Sequence, residues 1–193
     1  RPGSTTASYG APLGQWHHTF EEFKAQTGAL LFPGDMLQRA RELHAEGGLS
    51  DEGLAFTEQW YRRHITSDLA WAFRMVLRGV RDAGGGFAGG PYSRLAAMQV
   101  GFLTEQGALR FDDAHGWWEV DFDKMPAAVA RLAQTMLRLY ATGDFEAVNT
   151  FATRYTDPQG AGFQHLHAAR VIEVAGSMPS ALFDYEVELD EVN

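Results

Sequence analysis

Apolar side chains recur at helical spacing along most of this chain, and most regularly between Leu69 and Val80. Leu69, Ala72, Phe73, Val76 and Val80 stand at i, i+3, i+4, i+7 and i+11, which makes one face of a helix apolar. Such a face has to be covered by other elements, and the neighbouring segments carry similar patterns. The expected fold is therefore mainly α, a multi-helix domain with a small β-hairpin and a C-terminal strand. With 193 residues, 45% of them hydrophobic and 12% aromatic, the chain has enough apolar material for one well-buried domain.

Residues 1–14 are rich in Gly, Pro, Ser and Thr and read as an irregular arm, leaving 15–193 as the helical domain. Phe20, Phe23, Thr27, Leu30 and Leu31 give the first helix its inner side, while Glu22 and Gln26, four apart, share another. Thr19-x-x-Glu22 has the spacing of a capping box, in which hydroxyl and carboxylate satisfy open amides at a helix start. The same carboxylate, fixed on a helix, is also a candidate oxygen donor to a metal. Pro33-Gly34 signals a turn, after which Asp35 caps a second helix with Met36, Leu37, Ala40 and Leu43 inward; it ends at Gly47-Gly48, with His44 facing water. Ser50 or Asp51 caps a third helix running to His64, with Leu54, Phe56, Trp60 and Tyr61 on it, and Thr66 or Ser67 caps a fourth. The polar side of that fourth helix carries Arg74, Arg78 and Arg81, a basic stripe suited to the carboxylate of a neighbouring helix or of a substrate.

Gly84 to Gly90 lacks the Lys and Ser/Thr of a phosphate-binding loop and reads as a plain loop. A helix from Ser93 carries Leu95, Ala96, Met98, Gln99, Phe102 and Leu103 and closes at Gly107. Leu109 to Phe122 reads as a β-hairpin with Trp118, Val120 and Phe122 on one face and His115 in the turn. Asp123 then caps a long helix with Pro126 in its first turn and Val129, Leu132, Ala133, Met136 and Tyr140 inward, ended by Gly143. Asp144 starts another, with Phe145, Val148, Phe151, Ala152 and Tyr155 inward, until Asp157-Pro158. His165 and His167 would point the same way on a strand, but their Ala-rich surroundings read as helix and turn the rings apart. Alternation of Phe183, Tyr185, Val187 and Leu189 with acidic residues gives the C-terminal strand.

Twenty-five acidic against 16 basic residues give a net charge of -9, which opposes binding to nucleic acid phosphates. The absence of cysteine excludes disulfides, thiolate metal sites and cysteine nucleophiles. No apolar run approaches the roughly 20 residues of a membrane helix, so no membrane partner is expected. Arg1 stands where an initiator methionine is usual, which suggests a processed product or a fragment. The cytoplasm is the expected location.

Two parts of the chain, within about Leu13 to Tyr155, resemble the dipeptidyl-peptidase III-like zinc metallopeptidases, in particular their bacterial, nudix-hydrolase-associated branch. F-E-E-F-K-A-Q-T-G-A-L-L at Phe20 to Leu31 is similar to the family helix E-E-x-R/K-A-D/E-x-x-G-L-Y/W, whose second glutamate is the third zinc ligand. The resemblance places Glu22 at that position. F-R-M-V-L-R-G-V-R-D-A-G-G at Phe73 to Gly85, with G-A-L-R-F-D, V-D-F-D-K-M and G-D-F-E-A-V after it, is similar to the family's A-H-G segment and the stretches C-terminal to it. The resemblance implies the C-terminal part of a helical zinc-bearing lobe, a peptide substrate and zinc as cofactor in the complete protein, and the missing N-terminal half as a partner. It leaves Glu21, Gln26, Arg74 and Arg78 as candidates to support the metal ligand or touch substrate. His18, His165 and His167 are the alternative metal donors.

The family's H-E-x-x-G-H helix, which supplies two histidines and the glutamate that activates water, has no counterpart in this sequence, and Gln26 and Gly84 replace a carboxylate and a histidine. In a complete homologue zinc would polarise the scissile carbonyl and lower the pKa of bound water. One carboxylate does not hold zinc tightly, since protein sites use three or four ligands, so this chain alone is expected to be inactive. The alternatives are a working peptidase whose first half lies upstream, a degenerate relative that serves as a non-catalytic helical binding module for a peptide or small molecule, and a shared scaffold only.

Overall fold

The computed structural model describes residues 11–79, 89–167, 170, 171 and 173. Five α-helices and one hairpin stand in that range: α1 (His17–Ala45), α2 (Asp51–Gly79), α3 (Pro91–Glu105), β1 (Leu109–Asp112), β2 (Trp117–Val120), α4 (Met125–Thr142) and α5 (Phe145–Thr156), with 3-10 turns at Ala11–Trp16 and Phe163–Leu166. The mainly α architecture with a small antiparallel hairpin is as the apolar periodicity requires. Most of the arm, Arg81, most of the glycine-rich loop and the alternating C-terminal stretch lie outside the described residues.

α3 is the central element. Its residues Leu95 to Leu103 are all buried, because the segment is apolar nearly all round and is covered on every side. α1, α2 and α5 pack on it, and two core clusters meet there. One joins α2, the hairpin and the start of α4; the other joins the start of α1, the end of α4 and α5 through Phe20, Phe23, Leu95, Met98, Leu132 and Tyr155. Tyr155 approaches α3 directly over Gly101, where no side chain intervenes.

Two expected breaks are absent. Pro33-Gly34 does not end the first helix; α1 runs through it for 29 residues. Proline in a helix interior removes one hydrogen bond and costs about 3 kcal/mol. Leu30, Pro33, Leu37 and Ala40 are all buried on one side, and burial of a leucine alone is worth about 1.5–3 kcal/mol, so packing outweighs the loss. Gly34 lies beside Pro126 of α4, where a Cβ would make only an ordinary contact. Asp35 is therefore inside a helix rather than a cap, and Met36 is exposed. Likewise the third and fourth expected helices are one, α2. Thr66 is no cap, since its hydroxyl donates at 2.8 Å to the Arg62 carbonyl of its own preceding turn. Ser50 is the cap of α2, accepting the Gly53 amide at 3.1 Å, and Phe56 is exposed.

The capping box is also absent. Thr19 is the third residue of α1 and buried, and the helix starts after Trp16, whose indole donates to Asn149 of α5 at 3.0 Å. α3 begins at Pro91 rather than Ser93, since proline fits a first helical turn. The start of α4 is held by Asp121 instead of Asp123: its carboxylate accepts the amides of Asp123 and Lys124 at 3.2 and 3.1 Å. Asp144 does cap α5, accepting the Ala147 amide at 3.1 Å, and Gly143 ends α4 with a left-handed φ of 60°. Phe145 is partly exposed, its ring covering Gly14 instead of entering the core.

In the hairpin Leu109 pairs with Val120 and Phe111 with Trp118. Trp118, Val120 and Phe122 face the core as expected, Trp118 lying 5.0 Å from the ring of Phe73.

Candidate functional site

Three helices bring the chemistry-bearing residues of this chain together. α1 presents Glu22 and, one turn on, Gln26; α2 presents Asp68 and Trp71; α3 presents Tyr92 and, two turns on, Gln99. The polar contacts occur in two layers. In the first, the exposed Tyr92 hydroxyl interacts with the half-buried Glu22 carboxylate, which holds the Tyr92 pKa above its usual value. Tyr92 in turn stands edge-on to Trp71 at 6.3 Å. In the second, the Gln26 amide donates to one oxygen of Asp68 and the Gln99 amide to the other at 2.7 Å. Burial pushes the Asp68 carboxyl up to about 6, against the opposing pull of the Gln99 hydrogen bond, His64 and Gln26.

The two adjacent glutamates have different surroundings. Glu21 accepts from the Tyr140 hydroxyl of α4 and from Lys24 at 2.9 Å, and these two donors hold its carboxyl below the usual range. It ties α1 to α4. Glu22 makes no ion pair among the described residues. Helical geometry separates them: a step of one residue turns the side chain by about 100°, toward α4 in one case and toward α3 in the other.

The remaining candidates do not converge on Glu22. His18 is exposed and neighbours His17, ring centroids 5.2 Å apart. His165 lies 3.7 Å from Glu105, and His167 stacks on Phe111 at 3.8 Å, so the two rings face different partners. Their segment is a 3-10 turn closed by His167 with φ 45°, not an α-helix. Arg74 is half-buried and Arg78 exposed, and neither forms an ion pair among the described residues. His44 is paired with Asp51 at 2.7 Å across the α1–α2 connection, rather than simply facing water. Among the described residues no three His, Cys, Asp or Glu side chains lie close enough to hold a metal ion.

Asp68, Gln99 and Tyr92 were not candidates on sequence grounds. Gln99 had a visible signal, as the lone polar side chain within A-A-M-Q-V-G-F. Asp68 was hidden by the expected helix start at Thr66 or Ser67; on a continuous helix it falls between the buried Ile65 and Leu69. No family model, curated protein or solved structure matches this chain. No helix among the described residues is long and apolar enough to cross a membrane.

Proposed function

We propose that this chain is the C-terminal part of a dipeptidyl-peptidase III-like zinc protein, to which it contributes the Glu22 carboxylate, the other donors lying outside the chain. The observation that supports this reading is the contrast between the two glutamates: Glu21 is consumed by Tyr140 and Lys24, while Glu22 is held by one neutral hydroxyl and carries no counter-cation among the described residues. A carboxylate fixed on a helix and not engaged by a basic side chain is able to serve as a metal ligand. The described residues do not fit a zinc site by themselves. Glu22 is one donor where three or four are needed, and His18, His165 and His167 stand elsewhere. The chain's own part in any reaction is thus to hold Glu22 in place between α1 and α3.

A second reading, a non-catalytic helical binding module, draws support from two observations. Gln26 is tied through its N–H to Asp68 of α2, and it is a neutral amide where the resemblance has a carboxylate. A cavity of about 200 Å³ opens between α1, α2 and α4, walled by Leu30, Leu31, Tyr61, Pro126 and Val129. Zinc content of the protein made from its complete reading frame, as wild type and as Glu22→Ala, separates the two. One zinc per wild-type chain, lost in the variant, supports the peptidase reading; a metal-free protein indifferent to the substitution removes it.

A further inference from the structure

The junction of α1, α2 and α3 closes on one carboxylate. Asp68 accepts one N–H from Gln26 and one from Gln99, and no cation pairs with it among the described residues. The carbonyl oxygen of Gln99, on a side chain with 0% exposure, has no hydrogen-bond partner among the described residues. Among the described residues the half-buried carboxylate is hydrogen-bonded only by neutral amides, and a charge partly withdrawn from water in this way is costly. A proton on Asp68 removes the cost of the desolvated charge and leaves the Gln99 carbonyl as it was. Gln26 is only half-buried, so its amide can turn over, offering its carbonyl to a protonated Asp68 and its NH2 to water, while Gln99 keeps its bond. The three helices stay tied in either state, and only the desolvated charge is lost.

The titratable groups around the junction do not supply an alternative counter-charge. On α2, His64 lies one turn before Asp68, and its positive form favours the carboxylate. On α1, Glu22 lies one turn before Gln26 and is engaged by Tyr92; on α3, Tyr92 is the corresponding group, two turns before Gln99. None of the three is a permanent cation.

We infer that Asp68 makes this junction a proton-responsive clasp, in which the neutral carboxyl binds α1 and α3 to α2 more firmly than the carboxylate does. The seam tightens in mild acid and slackens at neutral pH, whether or not Glu22 meets a metal. Linkage between protonation and folding sets the sign. The carboxyl titrates near 3.8 when exposed and at about 6 in the folded chain, so the folded form takes up the proton first. Its advantage over the unfolded form grows as pH falls from above 6 toward 4. Between pH 7.5 and 5 the folded-to-unfolded ratio should rise about tenfold from this group, or about 1.4 kcal/mol.

The test is chemical denaturation of the chain at pH 7.5 and 5.0, as wild type and as Asp68→Asn, the isostere of the neutral form. Burial shifts the His167 pKa down, which gives a pH dependence of the opposite sign, so the difference between the two proteins is the quantity read. The expected result is that Asp68→Asn is the more stable protein at pH 7.5 and loses about tenfold of that advantage by pH 5.0. A difference that does not change with pH overturns the inference, as does a variant that folds and is less stable at pH 7.5. Should the variant fail to fold, 13C NMR of aspartate-labelled wild type decides. One carboxyl resonance titrating near 6 supports the clasp, and aspartates that all titrate below 5 refute it.

Discussion

The ring of Tyr155 lies on the bare Cα of Gly101, so close that a Cβ there would fall 2.3 Å from it. The ring cannot easily retreat. Its hydroxyl donates to Glu105 at 2.9 Å, and the same carboxylate is held by Arg154 at 2.8 Å. Gly101→Ala gains about 1 kcal/mol of helix propensity but overpacks the α3–α5 contact, which typically costs 1–3 kcal/mol, with the backbone approach favouring the upper end. We expect a net loss of about 1–2 kcal/mol, seen as a lower denaturant midpoint at unchanged slope. A variant as stable as wild type would mean that the two helices separate without cost.

Glu21 and Glu22 should part in stability measurements. Glu21 joins α1 to α4 through Tyr140 and also carries the Lys24 pair, whereas among the described residues Glu22 has only the Tyr92 hydroxyl. Glu21→Ala is expected to lower the melting temperature more than Glu22→Ala in the metal-free chain. The reverse order would give Glu22 a structural role and weaken its assignment as a ligand. Raising salt should shrink the Glu21 effect, since its lysine pair is exposed and screened.

The helices were legible because their apolar faces recur at 3.6 residues, and that signal survives in Phe20 and Phe23, in Leu69 and Val76, and in Leu132 and Met136, all buried. Where they stop was less legible. Pro33 and Thr66 have the local chemistry of helix ends, and only the partners on both sides, α4 against Gly34 and α3 against Leu69 and Val76, keep the chain helical through them. The same non-local packing concealed Asp68 and Tyr92, whose contacts span 31 and about 70 residues of sequence respectively. Glu22 was visible only through a family likeness, since a single carboxylate on a helix carries no pattern of its own.

His167 provides a pH dependence of the opposite sense. It stacks on Phe111 beside Trp118, and burial, aided by His165, holds its pKa below the ordinary 6.5. The unfolded chain then takes up the proton first, so the stability this residue provides is present above pH 6.5 and is lost as pH falls below it. His167→Asn keeps a residue that tolerates the left-handed φ of 45° and removes both the stacking and the titration. At pH 7.5 the variant should be less stable by about 0.5–1.5 kcal/mol, the worth of an aromatic pair. The gap should narrow by pH 5.5 in thermal melts; a gap that widens contradicts a neutral, packed imidazole.

Tyr61 offers a substitution that should stabilise. The side chain is 2% exposed, its hydroxyl meets no partner among the described residues, and burial pushes its pKa up to about 12. A buried hydroxyl without a hydrogen bond costs about 1–3 kcal/mol, while its ring keeps the contact with Phe122 at 6.4 Å regardless of the oxygen. Tyr61→Phe removes the penalty and leaves a void too small to matter, so the chain should gain about 1 kcal/mol, raising the melting temperature by about 2–4 °C for a domain of this size. A loss of about 1 kcal/mol would instead reveal a water bound to that hydroxyl from the adjoining cavity between α1, α2 and α4. In that case the cavity is hydrated, and a ligand entering it would have to replace the water's hydrogen bond to Tyr61.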